Sequence, residues 1–190
     1  MTMAAKILRR NYFSRPTLQV ARGLLGKYLV RRNGRKVLAG RIVEVEAYIG
    51  MEDRACHASK GRTVRTEVMF GPAGVSYVYL IYGMHHCFNI VTERAGFPSA
   101  VLVRAVEDAD TQARIDGPGR VCRFLAIDRT LNRLDLTTGE ALWVEDRRER
   151  VSPVTITAGR RINVDYAGVW AKKPWRFRLK DFQPGSKVDK

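Results

Sequence analysis

The sequence predicts a mixed α/β (α+β) fold, a single domain over residues 1–190 with a largely antiparallel sheet. Segments patterned like strands outnumber those patterned like helices, and no βαβ alternation runs through the chain. With 45% hydrophobic and 28% charged residues, 190 positions supply enough apolar material for one sizeable core. That composition excludes intrinsically disordered, collagen-like and disulfide-scaffold classes. No repeat, low-complexity stretch or linker divides the chain.

After Ser14, Pro16 suits the first turn of a helix. Leu18, Ala21, Leu25 and Leu29 then recur at three- and four-residue spacing, which predicts an amphipathic helix of three to four turns. Asn33-Gly34 signals a tight turn, so Val37 to Tyr48 should enter the sheet paired with the chain just before that turn. Further strands are expected at Val75 to Tyr82, Ala100 to Val106, Ala141 to Glu145, Val154 to Ala158 and Trp175 to Leu179. Val121 to Ile127, after the Gly117-Pro118-Gly119 turn, is the best second helix.

Charge narrows the function class. Thirty-four Lys and Arg against 19 Asp and Glu give a formal net charge of +15, which points to a polyanionic partner, nucleic acid before acidic membrane. The surplus sits at the ends: residues 1–40 hold ten basic residues and no acid, and residues 160–190 hold nine against three. Residues 107–150 instead hold ten acids against eight basic residues. No run of eighteen apolar residues exists, and Met1 to Arg10 lacks the apolar stretch of a signal peptide. Three cysteines without CxxC spacing suit a reducing compartment. A soluble intracellular protein is therefore expected, cytoplasmic in a bacterium or nuclear in a eukaryote.

Two clusters could carry chemistry. Along Arg41 to Tyr48, the two-residue period of a strand puts Ile42, Glu44, Glu46 and Tyr48 on one face and Val43, Val45 and Ala47 on the other. These are the first acids after forty residues of basic chain, and a positive field favours the carboxylate form, suited to a general base for water. From one strand alone, a plain solvent face is an equally good account. The second cluster is Ser76 to Gly83, with Tyr77 and Tyr79 on one face and Tyr82 at the turn into Gly83. Aromatic side chains amid positive charge bind unstacked bases, and a protruding one can wedge between base pairs. Cys56-His57 and His85-His86-Cys87 raise a metal site, yet neither CxxC nor HxxxH spacing is present, so no metal and no cofactor are expected. Gly117-Pro118-Gly119-Arg120 reads as a simple turn before it reads as a phosphate cradle.

The run Gly40 to Tyr48, then His57, Tyr77 to Met84, Asn89, Leu102 to Ala105 and Gly117 to Gly119 follow one another in a recognisable order and spacing. From about Tyr12 to about Leu179 the chain resembles the alkyladenine DNA glycosylases, the 3-methyladenine DNA glycosylase family of mammals and some bacteria. The resemblance implies a curved antiparallel sheet surrounded by helices. It also implies excision of alkylated or deaminated purines from double-stranded DNA by a monomer, with Glu46 as general base and Arg104 near the attacked water. Tyr48, His57 and Tyr79 match the walls of the base pocket, Asn89 matches a pocket residue that excludes guanine, and Tyr82 matches the residue inserted into the duplex. Beyond Leu179 the tail departs from the family's usual ending. The alternative is a non-catalytic nucleic-acid-binding module, and Glu46 with Arg104 and Tyr82 separates the two, since a pure binder has no reason to place a carboxylate where phosphates approach.

Overall fold

A computed structural model describes residues 5–180; the divergent tail, 181–190, lies outside the described residues. In chain order the elements are β1 (Lys6–Ile7), α1 (Arg10–Phe13), α2 (Thr17–Leu24), β2 (Tyr28–Asn33), β3 (Lys36–Ile49), β4 (Ser76–Ile81), β5 (His85–Val91) and β6 (Ser99–Asp108). They continue with β7 (Arg114–Asp116), α3 (Pro118–Phe124), β8 (Leu142–Asp146), β9 (Ile156–Gly159) and β10 (Arg176–Leu179), with short 3₁₀ turns between. The strands join one antiparallel sheet in the order β1-β8-β2-β3-β6-β5-β4, with β10 also on β3, β9 on β10 and β7 on β6.

The fourteen-residue β3 organises the molecule. Its first half pairs with β2 across the Asn33–Lys36 turn, as the sequence predicts. In its second half β10 takes over that edge, so Glu46 is bracketed by Arg176 on one side and Leu102 of β6 on the other. Register shifts between Ile42 and Glu44 and between Glu44 and Val45 mark a bulge, opposite which Arg104 has no ladder partner. A bulge re-aims side chains locally. Ile42 therefore joins Val43, Val45 and Ala47 in the main apolar cluster instead of sharing the face of Glu44, Glu46 and Tyr48, contrary to strict alternation.

The first helix is shorter than the sequence predicts. α2 ends at Leu24, because Leu25 is extended and Gly26 has φ +79°, a left-handed conformation that glycine adopts at no steric cost. Leu29 lies in β2, yet Leu25 and Leu29 bury into the same cluster as Val20 and Leu24, which is why the spacing looked helical. The second helix starts three residues earlier than expected, with Pro118 in its first turn and Gly117 at φ +104° before it. The expected strand from Val154 opens as a 3₁₀ turn, Pro153–Thr155, and the strand proper is β9. The helices that accompany the sheet are short: α1, α2 and α3 are four, eight and seven residues long. Among the described residues no helix is long and apolar enough to cross a membrane.

Candidate active site

Glu44 and Glu46 project from the middle of β3 and are both buried. A buried carboxylate is tolerated when its oxygens are satisfied, and those of Glu46 are: Oε1 accepts from the Ile162 backbone N–H at 2.8 Å, and Oε2 accepts from the Tyr48 hydroxyl at 2.7 Å and from an Arg104 guanidinium nitrogen at 3.4 Å. Tyr48 is held as a donor, since burial and then the adjacent Glu46 charge push its phenol well above the usual range. Arg104 also reaches Glu44 at 3.4 Å, and Arg176 reaches the same Glu44 oxygen at 3.5 Å. Burial raises the Glu44 carboxyl above the usual range, opposed by those two guanidinium groups. The bulge thus places Arg104 between two acids one strand away, where it organises both.

In front of this cluster lies a cleft of about 660 Å³, whose lining includes Tyr48, His57, Tyr77, Tyr79, Asn89 and Arg104. Tyr77 and Tyr79 come from β4 with ring centroids 5.2 Å apart, and the His57 ring meets Tyr79 edge-on at 4.7 Å. His57 stands on the 3₁₀ turn His57–Lys60, and its Nδ1 shares a 2.9 Å hydrogen bond with the Tyr77 hydroxyl. Burial, followed by the nearby Arg65 and Lys60 charges, lowers its pKa to about 4, so the ring is neutral at pH 7. The Asn89 amide donates to the Tyr77 carbonyl at 3.1 Å, which fixes its orientation at the cleft. All the residues singled out from the sequence for a pocket converge here, although they are spread over forty positions.

Tyr82 stands at the rim. It sits in the three-residue connection between β4 and β5 with φ +52°, followed by Gly83 at φ +69°, and the Met84 N–H closes a turn on the Ile81 carbonyl at 3.2 Å. Positive φ at both central positions is the type I′ pattern, which favours glycine or asparagine. A tyrosine there is strained and 79% exposed.

Sequence reasoning missed several groups. Ile162, whose N–H holds Glu46, carries no side-chain signal at all. Arg161, counted from sequence among the surface charge of the C-terminal segment, is buried. Its guanidinium pairs with both oxygens of Asp53, at 2.5 and 2.9 Å, and donates to the Ala47 and Trp170 carbonyls. It also stacks over Tyr48, 4.8 Å from the ring centroid. Arg65 stacks over Tyr79 at the same distance. The Gly117-Pro118-Gly119-Arg120 turn closes one side of the cleft, but Pro118 offers no backbone N–H and Gly119 packs against His85. The three cysteines are buried thiols, and burial pushes Cys56 and Cys122 up to about 12. Among the described residues no group of three or more His, Cys, Asp or Glu side chains is arranged to hold a metal ion.

A family model described as methylpurine-DNA glycosylase matches residues 11–183. Three relatives each carry a provisional name, 3-methyladenine DNA glycosylase. The protein of Myxococcus xanthus is 53% identical over 183 residues, covering 95% of this chain and 93% of its own. That of Legionella pneumophila strain Corby is 50% identical over 175 residues, covering 92% and 94%. The archaeal protein of Methanocella arvoryzae is 48% identical over 187 residues, covering 90% and 91%.

Proposed function

This chain belongs to the methylpurine-DNA glycosylase family, and from that premise we propose that it is a monofunctional glycosylase. It takes alkylated or deaminated purines, of the 3-methyladenine, 7-methylguanine, hypoxanthine and ethenoadenine class, out of duplex DNA and hydrolyses the N-glycosidic bond. The observation that carries the reading is Glu46, a buried carboxylate oriented by three donors directly behind an aromatic cleft.

A base inside a duplex is out of reach, so the nucleotide has to be extruded, at a cost of roughly a few kcal/mol. Stacking contributes about 1–3 kcal/mol per base on an aromatic face, so Tyr48 and Tyr79 on two walls offset most of that cost. Tyr82 fills the gap left in the duplex. With the base between the tyrosines, the sugar faces the Glu46 and Arg104 end of the cleft. The Arg104 contact is the loosest of the three to Glu46, and a water entering there reaches Oε2.

Glu46 takes a proton from that water as the water oxygen bonds to the anomeric carbon. The glycosidic bond breaks with its electron pair passing to the base. An alkylated cationic base leaves neutral. A neutral base such as hypoxanthine leaves carrying one additional hydrogen, so the overall reaction in that case consumes one water and no net proton. The cleft lining contains no lysine to attack the sugar as an amine, which supports an abasic product without strand cleavage.

The test is release of free base from duplexes containing one 3-methyladenine, hypoxanthine or ethenoadenine. Removing a general base typically costs about 10²–10⁴-fold, so Glu46→Gln should lose at least ~100-fold in single-turnover rate while binding remains. A wild-type protein that releases none of these bases overturns the proposal.

A further inference from the structure

Both tyrosine walls of the cleft are backed by a guanidinium. Behind Tyr48 it is Arg161, whose charge is cancelled by the two-oxygen contact with Asp53. Behind Tyr79 it is Arg65, and there the situation differs. Among the described residues no carboxylate pairs with Arg65; its side chain is exposed, and its guanidinium lies over the Tyr79 ring. Arg65 does not line the cleft whereas Tyr79 does, so the guanidinium occupies the ring face turned away from the base. Of the other charges, Glu44 and Glu46 face Arg104 and Arg176, His57 is neutral, and Asp116, Arg120 and Arg123 reach the cleft from β7 and α3. Arg65 alone among the cations near the cleft acts on the base through the Tyr79 ring.

A purine methylated at N7 or N3 is a cation, whereas hypoxanthine and ethenoadenine are neutral. A cation is drawn to the negative face of a tyrosine, but with Arg65 already seated on the opposite face, a cationic base there becomes the second positive charge on one ring. A neutral base pays no such repulsion and still stacks.

We propose that Arg65 is a specificity-determining residue of this glycosylase, which shifts its preference from cationic alkylated purines toward neutral purine lesions. The inference rests on the glycosylase reading above and adds to it the charge class of the favoured base. The chemical sense is that cationic bases leave readily without help, so a pocket that weakens their hold brings the two classes closer in rate. A guanidinium 4.8 Å from the ring centroid and a base stacked on the other face are separated by roughly 8 Å. A unit-charge repulsion at that distance, across a partly solvated rim, corresponds to about a fivefold difference.

Arg65 is exposed, so its replacement leaves the core untouched. The experiment compares single-turnover release of 7-methylguanine and hypoxanthine, in otherwise identical duplexes, by wild type, Arg65→Gln and Arg65→Lys. Arg65→Gln should raise the 7-methylguanine to hypoxanthine ratio about fivefold, and Arg65→Lys, which keeps the cation, should remain close to wild type. An unchanged ratio in Arg65→Gln overturns the proposal. So does an equal loss on both substrates with a weaker salt dependence of binding, which makes Arg65 a phosphate contact. A wild type that releases 7-methylguanine and no hypoxanthine also overturns it. A wild type silent on both lesions overturns the glycosylase reading itself, and the role of Arg65 with it.

Discussion

Replacing Asp53 by asparagine removes one charge from a pair whose side chains are both 0% exposed. The Arg161 guanidinium then keeps its Ala47 and Trp170 carbonyls, at 2.9 and 3.1 Å, but loses its only counter-charge among the described residues. One asparagine oxygen can still accept, while the new amide group points N–H at N–H. Desolvation decides the magnitude. Stripping one partner from a buried ion pair costs about 3–5 kcal/mol, because the charge left behind stays out of water. The pair Arg62–Glu67 is the internal control: at 3.1 Å its distance is comparable, but its side chains are 55% and 42% exposed. Breaking such a surface pair is worth about 0.2–1 kcal/mol. Against a typical total of ~5–15 kcal/mol, Asp53→Asn is severe and Glu67→Gln is minor.

The assay is urea unfolding followed by circular dichroism, with equal m-values required so that the midpoints compare like with like. The double variant Asp53→Leu with Arg161→Met removes both charges and keeps apolar volume, so it should be less destabilised than the sum of the single variants. An Asp53→Asn cost below about 1 kcal/mol, no larger than that of Glu67→Gln, would refute the assignment of this pair as a buried clamp.

Tyr82→Ala should weaken binding to lesion-containing duplex and slow excision about tenfold or more, while affinity for undamaged duplex changes little. Fluorescence anisotropy with both duplexes checks this, and equal losses on the two remove the wedge role. For His57 the sign follows from its lowered pKa. The native state keeps the ring neutral down to about 4, whereas the unfolded chain takes up the proton near 6.5, so the unfolded state binds more protons in between. Stability should therefore fall as pH drops from 6.5 toward 4, by roughly 3 kcal/mol in all. Urea midpoints at pH 7 and pH 4.5 should differ less in His57→Asn than in wild type, and an identical difference counts against a neutral buried ring. The lowered carboxyls of Asp128, Asp135 and Asp146 act mainly below the ordinary 3.8 and do not mimic this window.

Glu46 and Tyr48 were legible because strand alternation puts them on one face, and Arg104 from β6 and Arg176 from β10, the strands on either side of β3, converge on that face at Glu44. Ile42 was misplaced because a bulge has no signature in alternation. β5 went unassigned as a strand because its residues from Cys87 onward are buried without alternation, so no period of two appears. The helix after Ser14 was overextended because Leu25 and Leu29 reach the same core from an extended chain. His57 and Tyr79 could be named from the resemblance, but their contact depends on a turn that folds across β4. Arg161 was beyond the reach of charge counting, because a guanidinium neutralised by a distant Asp53 looks in sequence like any surface cation.

That last point changes what the net charge of +15 means. Arg104, Arg161 and Arg176 are committed to Glu44, Glu46 and Asp53, so three of the cations do no steering. The exposed cations include Lys6, Arg9, Arg22, Arg32, Arg35 and Lys36 in the acid-free N-terminal stretch. On the proposed reading, the charges that attract DNA and those of the Glu46 cluster therefore belong to different side chains. Long-range attraction depends on summed charge and is screened by salt, whereas the Glu46 cluster is short-ranged, buried and close to neutral as a whole. On the proposed reading, undamaged duplex is searched without a phosphate being held over Glu46, because Arg104 and Arg176 are already paired with carboxylates of the chain itself.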